Sequence, residues 1–180
     1  WVRDPPSLNN MTSENDIDTR VRAIVQAYLA EASPAAWHVF AARSNYGDNL
    51  PSLQWLVDQS TLDRGTALLI YWYLGAAWHV QFAAPEQALS PETFTLLRRI
   101  EERYAAGFYR TGNIGFDPYT SEGGRPDDYP EVPVVRPVPA LMLEPVNGSE
   151  LVDLHPEGFD EGLPMDVAVA IYALFEDHEG

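Results

Sequence analysis

The chain has 180 residues, no cysteine and a formal net charge of −16. That length fits one domain, and the missing thiols exclude a disulfide scaffold, a cysteine nucleophile and a cysteine-built zinc site. All 11 basic residues are arginine, which also removes Schiff-base chemistry and the lysine of a phosphate-binding loop.

The chain opens at Trp1 rather than Met, so the native start is expected to have been trimmed or processed. Residues 1–13 are polar, carry Pro5-Pro6 and Asn9-Asn10, and read as a loose lead-in to a helical core over 14–110. From Asn15 to Ala32, Ile17, Val21, Ile24, Val25, Tyr28 and Leu29 recur on one helical face, with Asp16 and Asp18 suited to the positive N-terminal dipole. Ser33-Pro34 is an N-cap followed by proline at the first helical position, and it starts a helix that buries Trp37, Phe40 and Ala41. Pro51 opens a short third helix with Leu53, Leu56 and Val57 inward.

Thr66 to Ala84 carries no charge over 19 residues, long enough to raise a membrane span. Tyr71, Trp72 and Tyr73 occupy its middle, and Gly75, His79 and Gln81 interrupt the rest. The stretch therefore reads as a central buried helix running into an apolar turn. Ser90-Pro91 starts a long helix whose inner stripe is Phe94, Leu97, Ile100, Tyr104 and Phe108. Arg98, Arg99, Glu101, Glu102 and Arg103 are expected on its solvated face, with Arg98 and Glu102 as a surface pair.

After Thr111 the chain becomes rich in Gly, Pro and Asp. Pro130, Pro133, Pro137, Pro139 and Pro145 leave no room for a continuous helix. Residues 111–163 are expected to wrap over the helices, with Val132 to Val138 as an edge strand or polyproline segment and a small hairpin from Val132 to Leu143. A closing helix over 164–176 carries Val167, Ala170, Ile171, Leu174 and Phe175. The pattern predicts a mainly α, compact helical domain spanning 1–180, with a Pro/Gly-rich irregular wrap and a C-terminal helix.

No catalytic constellation stands out. His38, His79, His155 and His178 have no partner at metal-ligand spacing, and there is no serine elbow. Asp127-Asp128 and Asp160-Glu161 lack the alternating oxygen ligands of a calcium loop. The glycines from Gly107 to Gly115 lack the strand and helix context of a phosphate cradle, and Gly107 reads as a helix terminator. No cofactor or metal is expected.

Three elements together resemble the bacterial domain-of-unknown-function family 4274. The first is Asn45-Tyr46-Gly47-Asp48 followed by Pro51, with Tyr46 where the family has tryptophan. The second is the helix start Asp63-Arg64-Gly65-Thr66-Ala67-Leu68, and the third is Gly107-Phe108-Tyr109 with Asn113-Ile114 and Phe116-Asp117-Pro118. The resemblance spans about Trp37 to Pro118 and implies no assigned activity. It adds an association: small acidic bacterial proteins of this kind accompany secreted antibacterial toxins as immunity proteins.

Charge gives that association a physical side. Positions 1–110 hold 12 acids against 9 arginines, whereas 111–180 hold 15 against 2, so −13 of the −16 lies in the last 70 residues. Such a field repels nucleic acid and anionic membrane and steers a basic partner. The expected function is that of a cytoplasmic immunity protein that neutralises a cognate basic toxin through Asp127, Asp128, Glu131, Asp160 and Glu161. The alternatives are a small hydrolase-like enzyme with its site between helical core and wrap, and a scaffold or oligomerisation domain.

Overall fold

The computed structural model describes the backbone of residues 8–176 and the side chains of residues 16–176. Seven helices occur in this span: α1 (Leu8–Glu31), α2 (Pro34–Arg43), α3 (Leu50–Val57), α4 (Arg64–Tyr73), the single turn α5 (Ala76–His79), α6 (Pro91–Ala105) and α7 (Met165–Glu176). Strands β1 (Phe159–Asp160) and β2 (Leu163–Pro164) pair antiparallel just before α7. The mainly α architecture expected from the sequence is the one observed.

Helix α4 is the axis. Every residue from Gly65 to Trp72 is buried, because the segment is apolar all round and neighbours surround it. Helices α2 and α6 pack on α4, and α1 lies against α3 and α7. The core joins Val25 and Leu29 of α1, Phe40 of α2, Leu53 and Leu56 of α3, and Leu97 and Ile100 of α6 around Leu68 and Tyr71.

The helix starts follow the side-chain chemistry of their caps. Ser33 accepts from Ala36 N at 3.1 Å and Ser90 accepts from Thr93 N at 3.2 Å, each with proline at the next position. Asp63 caps α4 through Gly65 N at 2.9 Å. Gly107, at φ +68°, ends α6 in the left-handed conformation.

Several expectations are corrected. α1 already begins at Leu8, so residues 8–13 are helical, and only 1–7 of the expected lead-in lie outside the described residues. Asp16 and Asp18 consequently sit inside α1, away from its N-terminal turn. No hairpin forms over Val132 to Leu143. Val135 N and Arg136 N both donate to the one carbonyl of Val80, at 2.9 and 2.8 Å, so the segment docks on the turn after α5 instead of pairing with a strand. The hairpin that does form is β1–β2, closed by Glu161 (φ +45°) and Gly162 (φ +82°), the two left-handed positions of a type I′ turn. On α7 the buried residues are Ala168 and Leu174, while Phe175 and Ala170 face solvent.

The largest correction concerns α6. Arg98 pairs with Glu101 at 3.0 Å, not with Glu102, and Glu101 is buried. Tyr71 Oη donates to Glu101 Oε1 at 2.9 Å, and Arg136 reaches Glu101 Oε2 at 3.2 Å from the wrap. Helical spacing offered Arg98 a partner at either three or four residues; the tyrosine of α4 and the arginine of the wrap select the inward one.

The wrap crosses α4 at both ends. A Cβ on Gly65 would lie 2.1 Å from the carbonyl oxygen of Ile114, and a Cβ on Gly124 would lie 2.0 Å from that of Trp72. Only glycine permits backbone to approach backbone so closely.

Candidate functional site

Where the wrap arches past the C-terminal end of α4 it leaves a groove of about 480 Å³. Trp72, Ala77 and Val80 of the helical core form one side, and Leu143 and the segment from Pro126 to Val138 form the other. Trp72 is nearly fully buried, and its indole Nε1 donates to the Met142 carbonyl at 3.0 Å, which ties the far wall to the floor. The paired amides of Val135 and Arg136 on Val80 tie the near wall, and the Arg136–Glu101 contact adds a third tether beside it.

The rim is acidic and aromatic. Asp127 and Asp128 line the groove with Tyr119 and Tyr129. Asp128 is partly spent on its own loop, since its Oδ2 accepts the Arg125 N–H at 2.8 Å. Asp127 is well exposed, and the Arg125 guanidinium nitrogen stands 4.0 Å from each carboxylate, too far for a hydrogen bond. Tyr129 is one of two described non-glycine residues with positive φ, at +56°. That conformation costs about 1–2 kcal/mol and sets the ring edge-on to Trp78, with centroids 5.3 Å apart.

The five acids expected to form one partner surface fall into two places. Asp127 and Asp128 lie on the groove, and Glu131 is exposed between two of its lining residues, Pro130 and Val132. Asp160 and Glu161 belong to the β1–β2 hairpin and line a separate depression of about 190 Å³ that also contains Arg43. There Asp160 accepts the Tyr172 hydroxyl of α7, and Glu161 occupies the turn, so both have structural duties.

Two buried polar centres, His38 with Thr66 and Glu101 with Tyr71, sit in the helical core, and His79 is buried as well. His38 of α2 shares a 2.8 Å hydrogen bond through Nδ1 with Thr66 Oγ1 in the first turn of α4. Burial lowers its pKa to about 4, against a smaller upward pull from Asp63. His79 donates from Nδ1 to the Gly75 carbonyl at 2.9 Å, and burial lowers its pKa too. At the second centre, burial pushes the Glu101 carboxyl above its ordinary value, while Arg98, the Tyr71 hydroxyl and Arg136 pull it back. Burial and the Glu101 charge together raise the Tyr71 phenol well out of the physiological range.

The resemblance motifs turn out to be joints. Gly47 N donates to Asn45 Oδ1 at 2.9 Å, and Asn45 Nδ2 donates to Asp48 at 2.8 Å, which closes the α2–α3 turn. Asp63 is buried and accepts from Gly65 N, Asn113 N (2.7 Å) and Ile114 N (3.3 Å). Asp117 takes Tyr119 N at 2.9 Å in an Asx turn. Of these aspartates Asp63 joins core to wrap, whereas Asp48 closes the α2–α3 turn and Asp117 turns the wrap on itself.

Among the described residues no group of three or more His, Asp or Glu is placed to share a metal ion. No helix in the described span is long and apolar enough to cross a membrane.

Comparison with known proteins gives one match. Residues 32–105 match the model of a family described as "Domain of unknown function (DUF4274)". This confirms the resemblance over α2 to α6, which include the helical side of the groove, while the third motif and the acidic wall lie beyond the matched segment. No curated protein and no solved structure matches the chain.

Proposed function

We propose that this protein is an inhibitor that works by binding: a bacterial immunity protein that occupies a basic antibacterial toxin through the acidic wall of the groove. The observation that carries the reading is an apolar groove whose open edge bears Asp127, Asp128, Tyr119 and Tyr129 on the most acidic part of the chain. An apolar centre with a polar rim, rich in tyrosine, is the anatomy of a protein-binding patch. The long-range field of a segment carrying −13 favours a basic partner and raises the encounter rate. The lining of this groove holds no histidine, serine, threonine or cysteine, so its side chains serve recognition better than nucleophilic or imidazole chemistry. An enzymatic site between core and wrap would instead fall in a second cavity of about 240 Å³, where His38 and Tyr73 face Thr120, Ser121 and Glu150.

The test is association with the product of an adjacent toxin gene. Changing Asp127 and Asp128 to Asn and Glu131 to Gln should slow association by roughly tenfold at low salt and flatten its salt dependence. The pair Asp160→Asn and Glu161→Gln should change it far less. If all five neutral substitutions leave the low-salt rate at the wild-type value, the acidic segment is only solvated surface and the reading fails.

A further inference from the structure

We infer that the groove is built to receive an arginine side chain presented by a basic segment of the partner, an inference that rests on the binding reading above. Three features of the lining converge on that side chain. Val80, Val132 and Leu143 offer an apolar wall for a methylene stem. Tyr119 and Tyr129, each about half exposed (53% and 46%), offer ring faces for a planar cation. Asp127 and Asp128 offer two adjacent carboxylates whose own arginine, Arg125, stops at 4.0 Å.

The competing occupants fit less well. A purely aliphatic anchor would cover the two carboxylates and strip their water without replacing it. An acidic side chain is repelled. Lysine matches the charge but is a point donor, and it neither stacks on a phenol nor forks across two carboxylates as a guanidinium does. The molecule already uses this geometry internally: Arg64 lies over Tyr104 at 4.9 Å and Arg103 over Phe108 at 4.8 Å, and Arg103 also pairs with Asp58. Because Tyr129 is held by its left-handed backbone and by Trp78, one ring face is set before the guanidinium arrives.

The experiment uses the full chain, isotope-labelled, titrated with a capped Gly-Arg-Val-Arg-Gly peptide and followed by amide chemical shifts. Binding should move the amides of residues 126–138 and the Trp72 indole. The same peptide with citrulline for arginine, which keeps shape and removes charge, should bind at least roughly tenfold more weakly. The variant Asp127→Asn/Asp128→Asn, in which the amide oxygen can still accept the Arg125 N–H, should lose the arginine peptide to the same degree while keeping its helical spectrum. Equal binding of the citrulline peptide, no binding of the arginine peptide, or shifts confined to residues 153–166 would each overturn the inference. A toxin complex that forms normally with the double variant, beside a peptide that does not bind, removes the groove and its acidic wall and leaves only inhibition through another surface. Peptide binding without any toxin complex does the reverse.

Discussion

Asp63 holds Asn113 across the joint between helices and wrap: its Oδ2 accepts the Asn113 N–H at 2.7 Å while Oδ1 caps α4 through Gly65. One buried carboxylate therefore starts a helix and anchors a loop fifty residues on. A helix cap alone is worth about 0.5–2 kcal/mol. Asp63→Ala strands two further buried or half-buried N–H groups, and should cost about 3–5 kcal/mol in urea unfolding. Hydrogen exchange at Asn113 and Ile114 should accelerate with it. A loss no greater than an ordinary cap would show that the wrap does not depend on this residue.

The Glu101 centre predicts unequal partners. Glu101→Leu leaves Arg98 with a largely buried guanidinium (side chain 14% exposed) and no counter-charge, and should destabilise by about 2–3 kcal/mol. Arg136 is half exposed, so Arg136→Gln should cost under about 1 kcal/mol. Thermal or urea midpoints of the two variants check the asymmetry, and equal losses would contradict it.

The difference between what was readable and what was not runs along sequence distance. Ser33, Ser90 and Gly107 were identifiable because a cap or stop is decided within four residues. The central burial of α4 was readable because its apolar run has no polar face. Glu101 was misread because a rule of three and four residues cannot see Tyr71 or Arg136, which arrive from thirty and thirty-five residues away. The groove had no local signature for the same reason: its two sides are separated by some fifty residues, and its volume exists only after the wrap has docked. The hairpin was placed in the wrong segment because Val132 to Val138 has strand composition, whereas the decisive feature was the Glu161-Gly162 turn.

His38 gives a pH dependence with a definite sign. Its folded pKa of about 4 lies below the unfolded value of 6.5, so the native state binds fewer protons between them. Its contribution is complete above pH 6.5 and falls, as pH drops toward 4, by up to about 1.4 kcal/mol per unit. Glu101, raised by burial, acts in the opposite sense near its own pKa. The clean readings are therefore the His38 imidazole shifts, expected to stay neutral down to about pH 4, and the smaller acid sensitivity of His38→Gln relative to wild type. A midpoint near 6.5 for the imidazole would refute the assignment.

Glycine substitutions probe the crossing points. Gly124→Ala places a Cβ 2.0 Å from the Trp72 carbonyl oxygen and should cost about 1–3 kcal/mol while weakening any ligand of the groove. Gly112→Ala meets nothing nearer than 3.5 Å and should change stability by under about 0.5 kcal/mol. Similar midpoints for the two would mean that the wrap can lift away from α4 freely.

The single carbonyl of Val80, taken by the amides of Val135 and Arg136, has a kinetic consequence. A wall stapled to the floor at this point should hold one form, so capture is expected to proceed without an isomerisation before or after it. Mixing with an excess of partner should then give single-exponential traces whose rate climbs in proportion to concentration, without a plateau. Whatever ordering the encounter demands falls on the incoming chain, and the lifetime of the complex is where sequence changes in that chain should register most strongly.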